Sequence, residues 1–195
     1  MSNGIGARAA RPHRGWHERG YLPHFDAGAV VQTVTFRLTD SLPREFYEKA
    51  AAVAANDIER AVLLERGIDQ GRGDCILSDP KNAEILRGAL QHFDGERYRL
   101  LAWVVMPNHV HAMIEQMEGH ALTGILHSWK SYSAHAINKA RASSRRVWSP
   151  DYFDRYVRNE DHYAHVKYYI EYNPVKARLV GKPEDWAYSS ASLRT

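Results

Sequence analysis

The chain has 195 residues, 44% of them hydrophobic and 25% charged, with a mean hydropathy of −0.52 and a formal net charge of +3. That length suits one globular domain able to bury roughly 70% of its unfolded surface. Its longest strongly apolar run, residues 100–106, is far short of the ~20 residues that cross a bilayer, so membrane-spanning and fibrous classes are excluded.

Cys75 is the only cysteine, so no intrachain disulfide can form. With no apolar leader near the start, the expected setting is reducing and cytoplasmic. Charge is unevenly spread. No acidic residue occurs from 119 to 150, where Lys130, Lys139, Arg141, Arg145 and Arg146 stand. The first 24 residues carry Arg8, Arg11, Arg14 and Arg19 against Glu18. Such blocks mark either a face for a polyanion or a solvated helix surface.

Residues 1–24 lack periodicity and read as a flexible basic arm, with one domain following over 25–195. Residues 29–38 alternate, with Val34, Phe36 and Leu38 on one face and Thr33, Thr35 and Arg37 on the other, which predicts a strand. Ser41 and Pro43 open a helix predicted to run to about Arg66, ended by Gly67 and a glycine-rich loop. Asp79-Pro80 starts a second helix to about Phe93. Residues 99–106 and 109–116 form two strands joined at Pro107-Asn108. A third helix over 121–142 sets Leu122, Ile125, Leu126, Trp129, Ile137 and Ala140 on one stripe. A basic linker leads to a fourth helix over 160–172, stopped at Asn173-Pro174, and Trp186 and Tyr188 in the tail are expected to pack back. The fold class is α+β, a single domain with a central antiparallel sheet flanked by helices.

Two groups of residues suit chemistry. His109 and His111 sit at i and i+2 on a strand and so share a face, a start for a divalent-metal site or simply a packed, hydrogen-bonded pair. Tyr169 and Asn173 share one helix face, with His165 a turn earlier. A phenol and an amide so placed can offer one metal a nucleophile and a carbonyl ligand. Equally, Tyr169 suits a half-buried core position and Asn173 a helix end before Pro174.

The run LLAWVVMPNHVHAMIE, followed some sixty residues later by YIEYNPVKARLV and then DWAYSS, resembles the REP-associated tyrosine transposases, a branch of the single-tyrosine HUH transposases (His, hydrophobic residue, His). The resemblance implies the HUH, ferredoxin-like nuclease fold and an enzyme that binds DNA hairpins of repeated palindromes. It further implies cleavage and rejoining of single-stranded DNA through a 5′-phosphotyrosine, with Mg2+ or Mn2+. His109 and His111 match the metal ligands, Tyr169 the nucleophile and Asn173 the polar ligand beyond it. His165 is a candidate for proton handling, and Arg14, Arg19, Lys130, Lys139, Arg145 and Arg146 for DNA contacts. The implied partner is single-stranded or hairpin DNA rather than a membrane, and the protein would act as a monomer or homodimer. The chain departs from the family in its lead-in, PHFDAGAVVQTVTF, and at Arg178, where glycine is usual. Two rival readings are a domesticated, non-catalytic hairpin-binding protein and a metal hydrolase using water with Glu115 or Asp154.

Overall fold

The structure is a computed structural model that describes Gly15–Arg19, Leu22–Asp26 and residues 30–194. In chain order its main elements are β1 (Gly15–Arg19), β2 (Leu22–Asp26), β3 (Val31–Leu38), α1 (Arg44–Val53), α2 (Asp57–Ile68), α3 (Pro80–Gln91), β4 (Tyr98–Val105), β5 (His109–Gln116), α4 (Leu122–Ala140), β6 (Trp148–Tyr156) and α5 (Glu160–Lys176). The central sheet has the order β4-β5-β3-β6 with every pair antiparallel, the α+β architecture expected. Within the stretch read as an arm, β1 and β2 pair as an antiparallel ribbon, while residues 1–14 lie outside those described.

The alternation in β3 decides how the layers stack. Val34, Phe36 and Leu38 join Val110, Ala112 and Ile114 of β5 in the main core, under Leu86 and Leu90 of α3 and Leu122, Leu126 and Trp129 of α4. The other face takes α5 through Ile170 against Val104 and Met113, and α2 through Leu64 and Ile68 against Phe153. Polar β3 residues therefore look into the layer made by α2 and α5. The tail returns as expected: Trp186 Nε1 donates to the Val105 carbonyl at 3.0 Å, and the Val105 amide donates to the Tyr188 carbonyl at 2.8 Å.

Three sequence expectations need correction. The helix expected over 41–66 is two helices. Asn56 caps the second by accepting from the Glu59 amide at 2.9 Å, and Glu59 accepts from the Ala55 amide at 2.9 Å, a reciprocal cap that starts a new helix inside the run. The basic linker contains a strand, β6, at the sheet edge. Pro150 has no amide to donate, a defect that an edge strand tolerates.

The last helix does not stop at Pro174 but continues to Lys176. It ends in a left-handed turn in which the Arg178 amide donates to the Val175 carbonyl and the Leu179 amide to the Pro174 carbonyl, both at 2.9 Å. Arg178 holds φ +59° there, a conformation that a Cβ penalises and glycine accepts freely, so glycine would suit the position better than the arginine this chain carries. Arg178→Gly is expected to stabilise the fold by about 0.5–1 kcal/mol. A thermal melt should rise by about 1–4 °C.

Candidate active site

His109 and His111 are both buried on the face of β5 turned towards α2 and α5. Their Nε2 atoms lie 3.0 Å apart. Asn108, in the β4–β5 turn, organises this end of the sheet. Its Nδ2 donates to the carbonyls of Ile68 and Arg72 at 3.1 and 3.0 Å. Its Oδ1 is therefore the acceptor for His109 Nδ1–H at 2.7 Å, which leaves His109 Nε2 with its lone pair towards the site. Thr35 Oγ1, opposite His111 in the β3–β5 register, lies 2.7 Å from His111 Nδ1 and fixes that ring.

The clasp from Asn108 to residues 68–72 brings in a residue that the sequence did not single out. Asp69 ends α2, and its Oδ1 stands 3.7 Å from His109 Nε2 and 3.9 Å from His111 Nε2. This oxygen is buried without a hydrogen-bond partner. Ligand atoms of Asp69, His109 and His111 all lie within 4.8 Å of one another. Neighbouring ligands around a small divalent cation stand about 3 Å apart or somewhat more, so the group fits one with little movement. The His109 lone pair and an orphaned carboxylate oxygen facing one point are costly unless positive charge, a proton on His111 or a cation in its place, sits between them. A carboxylate at the C-terminal end of α2 also opposes the helix dipole, so Asp69 does not serve that helix.

Asp69 Oδ2 faces α5. It accepts from the Tyr169 hydroxyl at 3.2 Å and from Lys176 Nζ at 2.6 Å. The Tyr169 ring packs edge-on to His111 with centroids 5.5 Å apart. Asn173 is buried one turn on, its Nδ2 3.4 Å from His111 Nε2. The expected residues Tyr169, Asn173, His109 and His111 are thus brought together within one chain.

Burial sets the electrostatics. Desolvation, and then the neighbouring imidazole, push His109 well below the ordinary histidine range and keep it neutral. Burial pushes Asp69 up, but the proximity of the His111 ring and the hydrogen bond from Lys176 outweigh it, so the carboxyl is held below the usual range and ionised. The Tyr169 phenol is raised by burial first and then by the charges of Asp69 and Glu65, so in the ion-free protein it stays protonated.

A cavity of about 490 Å3 opens over Asp69, His111, Tyr169 and Lys176, lined also by Thr33, Glu65, Arg155 and His165. His165 is exposed on the cavity wall, whereas Tyr169's hydrogen-bond partner is Asp69. Of the expected DNA contacts, Arg145 and Arg146 are exposed on the loop between α4 and β6. Their backbone carbonyls are tied down by Asn138 Nδ2 and Thr39 Oγ1. Lys139 is exposed near the end of α4, whereas the Lys130 ammonium braces α4 to β6 through the Ser149 and Pro150 carbonyls. Arg14 lies outside the described residues, and so does the side chain of Arg19. The carboxylates of the rival hydrolase reading stand elsewhere. Glu115 is roughly 20 Å of strand away from His109 and pairs with Arg99. Asp154 lies opposite Val34 in the register, which puts it on the other face of the sheet.

The antiparallel sheet thus presents a buried histidine pair to a tyrosine on the last helix. The family model described as "Transposase IS200 like" matches residues 76–173, half of the chain, and the chain belongs to that family. Over 109 residues it is 29% identical to the REP-associated tyrosine transposase of Escherichia coli K12, covering 55% of this chain and 63% of that protein's length. A solved structure of a REP-associated tyrosine transposase bound to a REP hairpin superposes with a TM-score of 0.60 at 20% identity, over 87% of this chain and 81% of that one, and so shares the fold. Asp69 and Lys176 both lie outside the segment that the family model matches.

Proposed function

We propose that this protein is a divalent-metal-dependent endonuclease and strand transferase for single-stranded DNA, acting at hairpins of repeated extragenic palindromes. The observation that carries the reading is the shared carboxylate: one oxygen of Asp69 faces the two histidines and the other receives the Tyr169 hydroxyl. Nucleophile and metal-ligand candidates thereby converge within hydrogen-bonding reach of one group. The hairpin substrate is taken from what the solved relative binds.

His109, His111 and Asp69 would hold the cation, with Asn173 adjacent. Two imidazoles and a carboxylate suit Mn2+ somewhat better than Mg2+. When bound, the ion supplies positive charge that offsets the developing charge on the phosphate and on the phenol oxygen. The chain does the rest. Thr35 and Asn108 keep both imidazoles aimed at the site, and Asp69 points the Tyr169 oxygen into the cavity.

Attack by that oxygen on phosphorus forms the 5′-phosphotyrosine bond as the bond to the 3′ oxygen breaks. The phenol proton leaves by way of Asp69 Oδ2 to solvent, and the departing 3′ oxygen takes a proton from solvent. Rejoining reverses these steps with another 3′-hydroxyl, so the number of phosphodiester bonds is conserved and no ATP is needed. Because Tyr169 stands beside the histidines of its own chain, a monomer carries a complete set. The domain responsible is residues 25–195, with 1–24 as a basic arm whose described part pairs with the start of that domain in the β1–β2 ribbon, and it acts on chromosomal DNA in the cytoplasm.

The test is incubation of a labelled hairpin oligonucleotide with Mn2+, followed by a denaturing gel. A covalent protein–DNA adduct is expected. Cleavage without an adduct would mean a hydrolase, and binding without cleavage a hairpin-binding protein. Arg145→Ala with Arg146→Ala is expected to weaken hairpin binding and flatten its dependence on salt by roughly one to two in the log–log slope, since each lost phosphate contact releases about one counterion fewer. An unchanged slope would remove that loop from the interface.

A further inference from the structure

Each carboxylate of the cavity has a cation against it. Glu65 lies 3.3 Å from Arg155, and Asp69 lies 2.6 Å from Lys176. The second pair is unequal in burial: the Asp69 side chain is 12% exposed and that of Lys176 52%. The carboxylate is fixed from two sides, by the turn that ends α2 and by Tyr169. Among the described residues the ammonium's polar partner is the carboxylate alone, and it sits on a flexible stem rooted in the last turn of α5. Helix-dipole attraction favours it there whether or not it touches Asp69. It also stands 5.2 Å from the centroid of the Tyr169 ring, beside the oxygen that would meet a phosphate.

We propose that Lys176 is a movable counter-ion: with the cation site empty it neutralises Asp69, and with a cation on Asp69 it is released to the phosphate that Tyr169 attacks. The proposal rests on the nuclease reading above. A dication and an ammonium sharing one carboxylate repel each other, and the more exposed of the two is the one that can leave. Three cationic side chains, Arg66, Arg155 and Lys176, then face two carboxylates in the cavity, one of them already engaged. Release of Lys176 leaves that sum unchanged but frees an ammonium that was neutralised by Asp69 to meet an incoming DNA strand. The coupling is reciprocal: the factor by which the ion weakens the hold of Asp69 on Lys176 is the factor by which Lys176 weakens the hold of Asp69 on the ion.

The first measurement is Mn2+ binding to the DNA-free protein, with free ion counted by electron paramagnetic resonance. Lys176→Met keeps the stem and removes the charge. It is expected to bind Mn2+ several-fold tighter, with Lys176→Arg returning affinity to within about twofold of wild type. Unchanged or weaker Mn2+ affinity in Lys176→Met overturns the proposal. The second is hairpin affinity by fluorescence anisotropy in a Tyr169→Phe background, which prevents cleavage. Loss of the lysine charge should reduce affinity about fivefold with Mn2+ present and much less with chelator, since without the ion the ammonium is held by Asp69. An equal loss under both conditions also overturns it. Failure of the wild-type protein to form an adduct would sink the nuclease reading but leave the Mn2+ result intact, so the two failures are separable.

Discussion

Tyr169→Phe is expected to abolish covalent attachment to DNA and to lower strand cleavage by on the order of 10³-fold or more, while hairpin affinity stays within about twofold. The change removes one oxygen. The ring keeps its edge-on packing against His111, and Asp69 keeps its pairing with Lys176. The lost hydrogen bond to Asp69 is worth about 1 kcal/mol of stability, so the variant folds. Loss of activity then reports chemistry rather than collapse. The resting phenol is held protonated by burial and by two nearby carboxylates, so it is not a nucleophile until positive charge enters the site. Chelation of the wild-type protein should therefore mimic the variant on a denaturing gel. Wild-type cleavage by Tyr169→Phe would assign the reaction to water and return the protein to the hydrolase class.

Most of the frame is legible locally. The β3 alternation separates the core-facing Val34, Phe36 and Leu38 from the site-facing Thr35, because period-two patterning is a direct consequence of strand geometry. Asp79 caps α3 by accepting from the Lys81 amide at 2.9 Å, as its position before Pro80 suggests. Strand and helix spacings put His109 with His111 and Tyr169 with Asn173, but the meeting of the two pairs is implied by the family resemblance and not by spacing.

Asp69 is not readable in this way. Its partner Tyr169 lies 100 positions away, and nothing nearby distinguishes it from any polar residue before a glycine-rich turn. Only the clasp from Asn108, itself a long-range contact, carries it to the histidines. Lys176 was hidden for a different reason: Pro174 reads as a stop, yet a proline in the last turn of a helix leaves only one carbonyl unserved. The edge strand β6 carries too many charges and a proline to show the alternation of a central strand, although Tyr152 and Phe153 bury its middle.

Asp69→Asn is expected to weaken Mn2+ binding by at least about 10–100-fold and to reduce cleavage in proportion at limiting ion. It settles which residue completes the metal site. The sequence points to Asn173, whose amide nitrogen lies 3.4 Å from His111 Nε2. The structure offers instead the orphaned Asp69 Oδ1, facing both imidazoles. A carboxylate brings a full negative charge to a cation and an amide only a dipole, so Asp69→Asn should cost more ion affinity than Asn173→Ala. The effect on folding should be small because its contributions oppose. Removing a negative charge from the C-terminal end of α2 is favourable by about 0.3–1 kcal/mol, whereas Lys176, half exposed, loses an ion pair worth a similar amount after screening. The asparagine oxygen can still accept from Tyr169, so the phenol keeps its place while the charge that draws the ion is gone. Isothermal titration with Mn2+ on the two variants gives the ranking directly. A larger loss in Asn173→Ala would return the third ligand to α5 and leave Asp69 as the acceptor of the tyrosine proton alone.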